Sequence, residues 1–371
     1  MAYPGTEIKP DDRSGWIDQP NMRDEYFHRY SDDPYWSENT LMSFSVPERN
    51  LCGFIYCYWR PNMNLVVAGP CVWDHTGEDV YNCLYYGWDQ HLSIPPGSEM
   101  FDFKLPNSLS CEMIEPWKKY HLTYDRNGFK FDLTWTPFMD EPHYMKLSKS
   151  GDEDPGIKNW VKKESDLPVG HYEQAGRFQG WIELNGERIA IDCGALRDRG
   201  WGPRHADVSD PLRAGWPYAF ASEQSAWHLY DPQTELSFEE DPLEGTTETV
   251  TTGFYIRDGI KARVVSGTRK AERGRDGRVL TQVIHAVDEL GRELHAVGKG
   301  INWLKWPINS DIINWWSLVR WEYDGQVVYG EDQDFMNFKH YRRYWEKLLA
   351  KDPGVLNYFP PNDPDYPPYG K

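Results

Sequence analysis

The chain has 371 residues, enough for two domains of ordinary size, and its 58 acidic and 40 basic side chains give a formal net charge of −18. So acidic a chain argues against a nucleic-acid or anionic-membrane partner, because both favour basic patches. Its 18 tryptophans, 23 tyrosines and 15 phenylalanines exceed what an aliphatic core needs, which suggests β-barrel walls or a pocket for a flat, apolar ligand.

Residues 1–37 are rich in proline and aspartate and predict an irregular N-terminal arm. They lack a positively charged start followed by an apolar run, and no apolar segment approaches membrane-spanning length, so we expect neither a signal peptide nor a membrane span. The six cysteines are irregularly spaced, without a CxxC pair. They therefore predict reduced, buried thiols and a cytoplasmic location.

Short runs of β-branched and aromatic residues alternate with turn signals from residue 40 onward, which predicts strands. These predicted strands cover residues 41–46, 51–59, 65–73, 80–86, 100–105, 113–124 and 129–137. Even spacing of this kind is typical of an antiparallel meander that closes into a barrel, so we assign residues 38–195 to a first barrel. Within it, residues 149–168 show no periodicity and are predicted to form a loop.

A hairpin is predicted where residues 172–184 and 187–193 flank Asn185 and Gly186, since Asn-Gly favours a type I′ turn. The segment GALRDRGWGPRH follows directly at 194–205, and its glycines and proline constrain the backbone. We expect a bulge at Gly194 that turns Leu196 and Asp198 inward and leaves Arg197 and Arg199 pointing outward.

The second half repeats the strand pattern over residues 196–334, which we assign to a second barrel. Its predicted strands cover 216–230, 235–240, 249–257, 260–269, 278–286, 293–306 and 315–323. Apolar residues at helical spacing then predict a helix over 335–349, with Asp334 as its cap. Residues 335–371 thus form a C-terminal helix and a proline-rich tail.

Residues 197–204, RDRGWGPR, resemble the RDRxWGxR signature of the carotenoid 1,2-hydratase-like family. The preceding run HYEQAGR at 171–177 is similar to the lead-in of that signature in bacterial members. The resemblance covers roughly residues 30–345 and implies an all-β fold of two tandem lipocalin-like (calycin-type) antiparallel β-barrels. Activities in the wider group include water addition to isoprenoid double bonds and pericyclic or cationic cyclisations.

Asp198 is the leading catalytic candidate, because a carboxyl group among tryptophan rings and short of water is held neutral and can donate a proton. The alternative is structural: Asp198 pairs with Arg204 or Arg199 and joins the two barrels. His171 and His205 bracket the signature and are candidate bases or proton relays, with Glu173 as a reserve carboxylate.

Tyr230 is a candidate hydrogen-bond donor to a substrate oxygen, because it shares a predicted strand face with His228. Arg204 is suited to bracing a carboxylate or a turn, and also to holding a substrate. Together with the aromatic-rich runs of both halves, these considerations give the predicted substrate-binding residues Trp201, Arg204, Tyr56, Trp59, Tyr85, Trp88, Trp227 and His228.

The sequence contains no P-loop, no dinucleotide-binding glycine turn, no HExxH and no GxSxG, and its eleven histidines lack ligand spacing. We therefore expect no metal and no cofactor. The resulting hypothesis is an acid–base hydratase, dehydratase or double-bond isomerase, a monomer or homodimer, acting on a hydrophobic terpenoid, steroid or aromatic substrate. Two alternatives stay open: a non-catalytic binding protein for a lipophilic ligand, and a cyclase or pericyclic catalyst.

Overall fold

The computed structural model describes residues 16–17, 19–28, 31–145, 169–204, 213–233, 246–274, 276–308 and 312–351. Over these residues the chain forms two β-sheets and one α-helix, with short 3-10 turns at Met22–Glu25, Pro47–Arg49 and Pro61–Met63. The predicted all-β fold with a C-terminal helix is confirmed. No helix in this part of the chain is long and apolar enough to cross a membrane.

The first sheet contains thirteen strands. In chain order they are β1 (Trp16–Ile17), β2 (Trp36–Val46), β3 (Leu51–Arg60), β4 (Leu65–Trp73), β5 (Tyr85–Tyr86), β6 (Asp89–Ser93), β7 (Phe103–Lys104), β8 (Ser110–Glu115), β9 (Lys119–Arg126), β10 (Phe129–Pro137), β11 (His143–Tyr144), β12 (Val169–Leu184) and β13 (Glu187–Pro203). Ten of them lie side by side in the order β5-β4-β3-β2-β13-β12-β10-β9-β8-β7. β6 pairs with β4, whereas β1 and β11 pair with β12.

The two ends of this path, β5 and β7, are not paired with each other among the described strands. Side chains connect the two ends instead. The Asn107 amide donates to the carbonyl oxygen of Ala68 on β4 over 3.0 Å. The hydroxyl of Tyr85 on β5 lies 2.8 Å from that of Tyr124 on β9. Hydrogen bonds made by side chains therefore connect the two ends of the first sheet, which in a complete barrel are joined by backbone hydrogen bonds.

The second sheet contains ten strands, and eight of them form a closed antiparallel barrel. Its strands are β14 (Arg213–Gly215), β15 (Tyr218–Ser222), β16 (Ser225–Gln233), β17 (Thr246–Val250), β18 (Thr252–Arg257), β19 (Ile260–Arg273), β20 (Val279–Asp288), β21 (Glu293–Pro307), β22 (Ile312–Tyr323) and β23 (Gln326–Asn337). The ring runs β15-β16-β18-β19-β20-β21-β22-β23 and returns to β15. β14 and β17 extend it, and helix α1 (Phe338–Lys351) follows β23.

Several predicted element bounds need correction. The predicted strand 113–124 is a hairpin of β8 and β9, because Pro116 offers no backbone N–H and Trp117 adopts φ 63° in the left-handed region. The predicted strands 80–86 and 100–105 shorten to β5 and β7. Helix α1 begins at Phe338, and Asp334 does not cap it, since it lies on β23 and binds Arg269 and Arg273. The predicted loop 149–168, strand 235–240 and tail 352–371 lie outside the described residues.

Strand β13 pairs with β12 from Glu187 to Trp201 without a register shift, so the bulge expected at Gly194 is absent. It also pairs with β2 as far as Pro203, and the passage to the second sheet therefore lies after Pro203 rather than at the predicted boundary between residues 195 and 196. Alternation alone turns the even-numbered residues from 194 to 200 toward the second sheet and the odd-numbered ones toward the first-sheet interior.

Arg197 and Arg199 consequently point into the first sheet and are fully buried, contrary to the outward orientation expected for them. Arg197 Nη1 donates to Glu25 Oε2 over 2.9 Å, and Arg199 forms an ion pair with Glu38. Both carboxylates are also fully buried. Because an unpaired buried charge is strongly unfavourable, the Arg197–Glu25 pair fastens the N-terminal turn to the inside of the first sheet, and the Arg199–Glu38 pair joins β13 to β2.

The two sheets pack against each other through a shared apolar cluster, which we call the junction. Gly194 marks a close approach, since a Cβ there would stand 2.2 Å from the carbonyl oxygen of Phe220 on β15. Buried residues of both sheets meet in this cluster, including Leu41, Phe54, Trp88, Leu196, Trp216, Tyr218, Tyr230, Phe254, Trp306 and Trp316. Any group carried on an even position of β13 is therefore directed into an aromatic environment.

Candidate functional site

Three acid–base side chains meet on the junction side of the β12–β13 hairpin. His171 and Glu173 lie two residues apart on β12, and Asp198 on β13 is the cross-strand partner of Glu173. Residues two apart on a strand share a face, and cross-strand partners are neighbours, so register alone brings the three together. Their ligand-type atoms all lie within 4.8 Å of one another. We call this group the acid–base cluster.

His171 and Glu173 form a buried pair with 2.7 Å between His171 Nε2 and Glu173 Oε1. Burial lowers the pKa of His171 to about 3, with repulsion from Arg204 and Arg199 adding to the effect. Burial also raises the pKa of Glu173 well above its usual range, and the neighbouring Asp198 raises it further. Burial therefore favours the neutral form of both partners, and a neutral pair can pass a proton without creating a charge.

Asp198 is held by the adjacent strand β2. Its Oδ1 accepts the backbone N–H of Leu41 over 2.6 Å, and its carbonyl oxygen accepts the Thr40 hydroxyl over 2.8 Å. Burial raises the pKa of Asp198 to about 7, although the Leu41 bond and the nearby Arg204 oppose the shift. The residue is nevertheless partly exposed, whereas His171 and Glu173 are buried. Asp198 is thus the least buried member of the cluster, and its burial favours the acidic form.

The backbone at Gly200 is lined with polar atoms. A Cβ at this position would stand 2.6 Å from Asn39 Oδ1 and 2.7 Å from His171 Nδ1, with Arg204 Nη2 at 3.3 Å. Asn39 Nδ2 in turn donates to the Tyr56 hydroxyl over 3.3 Å. Glycine is therefore required here, because a side chain would displace the groups that flank Asp198.

Aromatic rings from both sheets surround these groups. Tyr56 stacks on Trp88 with ring centroids 5.3 Å apart, and Trp306 of the second sheet packs edge-on against Trp88 at 5.3 Å. The proximity of Asp198 contributes, after burial, to raising the pKa of Tyr56. On the other side, the Trp216 ring lies 5.3 Å from that of His171. The cluster thus sits between two aromatic walls.

Tyr230 and His228 share the junction face of β16, as their predicted alternation requires. The ring centroid of Trp216 lies 4.5 Å from that of Tyr230 and 5.2 Å from that of His228. Of the predicted site residues, the structure therefore brings together Asp198, His171, Arg204, Tyr56, Trp88, Tyr230 and His228.

Four other predicted substrate-binding residues lie elsewhere. Trp201 occupies an odd position of β13 and stacks on His28 at 4.7 Å, on the opposite face of the strand from Asp198. Trp59 and Tyr85 belong to the first-sheet core, and Trp227 packs 4.7 Å from Trp321 in the core of the second barrel. His205, predicted as a catalytic base, lies outside the described residues.

Sequence reasoning missed Trp216 and Asn39, and it ranked Glu173 only as a reserve. The signal for Glu173 was present, because a His-x-Glu pattern on a strand puts both side chains on one face. Trp216 and Asn39 carry no comparable signal. Each reaches the cluster through packing of β14 or β2, which depends on how the sheets are arranged.

The cluster could also bind a metal ion. Within the described residues, it is the group in which three histidine or carboxylate side chains come close enough to share one ion. The 2.7 Å bond between His171 and Glu173 leaves no room for an ion between these two atoms. Arg204 also lies close enough to affect the pKa of both His171 and Asp198, and its charge opposes a cation. We therefore interpret the group as an acid–base cluster.

A second buried carboxyl group, Glu331 on β23, lies where the two sheets meet. Its Oε2 accepts the Trp316 indole N–H over 2.7 Å, and the nearby Tyr218 hydroxyl lies 2.5 Å from Ser43 Oγ on β2. Burial raises the pKa of Glu331 from 4.5 to about 8. The folded protein keeps this proton while the unfolded chain releases it, so stability falls as pH rises from about 4.5 through about 8.

Glu331→Gln should remove this loss of stability at high pH. We expect the melting temperature of the variant to exceed that of the wild type at pH 8 and to approach it at pH 5, because an amide cannot ionise. Calorimetric melting at both pH values measures the difference. Glu322→Gln, at an exposed position on β22, is the control. Equal melting temperatures at pH 8 would show that Glu331 is ionised in the fold.

Comparison with known proteins gives a family and a fold. A family model described as "Domain of unknown function (DUF7064)" matches residues 21–331, and a comparison with curated protein sequences finds no match. The structure of CghA superposes with a TM-score of 0.53 at 11% identity, covering 88% of this chain and 94% of CghA. CghA with Sch210972 gives 0.51 at 11% identity, with coverage of 88% and 95%. Kievitone hydratase from Nectria haematococca gives 0.46 at 12% identity, with coverage of 81% and 87%. The likeness to CghA shows a shared tandem lipocalin-like fold.

Proposed function

Since the chain belongs to the DUF7064 family, whose description assigns no reaction, we propose its function from the junction itself. The proposal is an acid–base enzyme, a hydratase, dehydratase or double-bond isomerase, that acts on a hydrophobic terpenoid, steroid or aromatic substrate. One observation carries it: the carboxyl group of the partly exposed residue Asp198 has a pKa of about 7 and adjoins the buried His171–Glu173 pair between aromatic walls. Residues 197–204 resemble the RDRxWGxR signature of a group whose activities include water addition to isoprenoid double bonds as well as pericyclic and cationic cyclisations.

In the hydration direction, protonated Asp198 donates its proton to one carbon of a substrate double bond. Water then adds to the other carbon, and the proton that this water loses returns to Asp198 through the neutral pair of His171 and Glu173. The net change is the addition of one water molecule, and the enzyme ends in its starting state. The faces of Tyr56 and Trp88 stabilise positive charge that develops on the substrate.

Solvent deuterium tests the reaction class. The substrate is to be found by extracting purified protein and identifying co-purified compounds by mass spectrometry. Incubation of that compound with the protein in D₂O should place deuterium on a substrate carbon, because Asp198 exchanges its proton with solvent. A protein that only binds, or one that only folds its substrate for a pericyclic step, incorporates none, and either result would overturn the proposal. A chelator added in a parallel incubation should leave the rate unchanged.

The pH dependence of the rate follows from the same carboxyl group. Asp198 is active when protonated, so kcat/KM should be constant well below pH 7 and fall about tenfold per pH unit well above it. Burial favours the neutral forms of His171 and Glu173, so we expect no second inflection from them near pH 7. A rate that rises through pH 7 would assign Asp198 the role of a base and contradict the direction of transfer proposed here.

A further inference from the structure

A second group of buried polar side chains adjoins the acid–base cluster, since His143 is the cross-strand partner of Glu173 and His228 borders Trp216. It consists of His143 on β11, His228 on β16 and Thr252 on β18, and we call it the second polar cluster. His228 is 1% exposed, Thr252 3% and His143 8%. The rings of His143 and His228 flank Phe254, at 5.5 and 5.9 Å between centroids.

The hydrogen-bonding capacity of this cluster is unused within the described part of the protein. Both ring nitrogens of His228, Nε2 of His143 and Oγ1 of Thr252 are buried without a described partner. A buried polar atom without a partner costs on the order of 1–3 kcal/mol, so a fold does not retain several together for stability. Such a group in an aromatic junction is expected where a ligand supplies the missing partners.

The charge state of the cluster restricts what it can bind. Burial lowers the pKa of His228, with repulsion from His143 and His171 adding to the shift, and burial lowers the pKa of His143 to about 3. The cations nearest His143 are occupied, since Lys261 donates to the Glu141 carbonyl over 3.0 Å and Arg263 faces Glu289. A carboxylate or phosphate would therefore enter without a counter-charge, which is strongly unfavourable.

A neutral imidazole offers one donor and one acceptor, and a hydroxyl group can accept from one ring while donating to another. A carbonyl oxygen only accepts and an ammonium only donates, so each leaves part of the cluster unsatisfied. We propose that the second polar cluster binds a hydroxyl group on the substrate's ring system, so that the substrate is a neutral, hydroxylated conjugated or aromatic compound rather than a hydrocarbon. This rests on the proposed function only in placing the substrate in the same junction.

Both clusters border the same indole ring. The rings of His171 and His228 lie 5.3 and 5.2 Å from the same Trp216 indole. A flat substrate packed along that indole would present its hydroxyl group to His228 and its reacting carbon to Asp198. His228, His143 and Thr252 would then determine specificity, whereas the acid–base cluster performs the chemistry.

Matched probe pairs test the hydroxyl preference by binding alone. Calorimetric titrations compare 2-naphthol with naphthalene, and trans-4-hydroxystilbene with trans-stilbene. At least one hydroxylated member should bind about tenfold more tightly than its partner in the wild type, and this ratio should fall below about threefold in His228→Phe. Asp198→Asn should keep the wild-type ratio, which separates this result from failure of the proposed reaction. No preference in either pair, or a preference that survives His228→Phe, would overturn the proposal; the former is also the result expected if only water fills the cluster.

Stability provides an independent measurement. Replacing an unsatisfied buried imidazole by a phenyl ring of similar shape removes the cost of the buried nitrogens, so His228→Phe should raise the melting temperature by about 2–4 °C. His91→Phe, on an exposed position of β6, is the matched control and should change neither melting nor binding. A fall in the melting temperature of His228→Phe would show that the ring makes stabilising hydrogen bonds in the unliganded protein, which contradicts the inference.

Discussion

Asp198→Asn is expected to lower turnover by about 10²–10⁴-fold while leaving substrate affinity within a factor of about two. The amide has nearly the same shape, and its oxygen can still accept the backbone N–H of Leu41 that holds the side chain at 2.6 Å. It has no acidic proton near pH 7, however, so the proton donor is lost. Rate and deuterium incorporation in D₂O are to be measured together with binding by titration.

The pKa of Asp198 also predicts what happens to stability. A carboxyl group with a raised pKa destabilises the fold above its unfolded pKa, so the neutral amide should melt at the same temperature as the wild type or higher. Asp192→Asn is a matched control, because Asp192 is exposed on the same strand and faces the same side. If Asp198→Asn keeps full turnover, Asp198 is not the acid. If it fails to fold, the alternative in which Asp198 joins the two sheets is supported instead.

Glu25→Ala should cost about 3–5 kcal/mol in the free energy of unfolding, measured by urea denaturation. Glu25 bonds to Arg197 through both carboxylate oxygens, at 2.9 and 3.1 Å, and accepts the Tyr120 hydroxyl over 2.5 Å. Because Arg197 and Glu25 are both fully buried, removing the acid leaves a guanidinium without a counter-charge inside the sheet. The full cost of desolvating that charge then falls on the folded state.

Two further variants identify the cause of this loss. Glu25→Ala combined with Arg197→Met should recover part of the stability, since it removes the charge that the single change leaves unpaired. Arg49→Ala breaks an ion pair with Glu187 whose side chains are 46% and 60% exposed, and should leave the urea midpoint unchanged. A Glu25→Ala protein as stable as the wild type would mean that Arg197 finds water or another partner.

The fold was largely predictable because each strand is a local pattern. Alternation and turn residues locate β3, β4 and β10 closely and β2 only over its second half, and Asn185-Gly186 fixes the β12–β13 hairpin. The errors occur where local pattern and tertiary environment diverge. Pro116 and Trp117 divide the predicted strand 113–124 into two strands. Arg197 and Arg199 are buried because carboxylates distant in sequence, Glu25 and Glu38, pair with them.

The site was predictable only in its hairpin part. His171, Glu173 and Asp198 follow from strand register, which the sequence sets through one turn. Trp216 and His143 join the cluster region through the packing of separate strands, and no spacing between residues specifies that packing. Trp201 was misplaced for the converse reason: it is adjacent in sequence to the cluster, but alternation turns it to the other face of β13.

The alternation along β13 has a practical consequence for protein engineering. Odd positions such as Arg197 and Arg199 hold the framework together, while the even position Asp198 contacts the junction. A library that varies Leu196 and its β12 partner Ala175, with Gly194, Gly200, the acid–base cluster and the odd positions unchanged, would alter the lining of the junction without touching the buried ion pairs. New substrate ranges could then be selected on a scaffold whose folding energy is preserved.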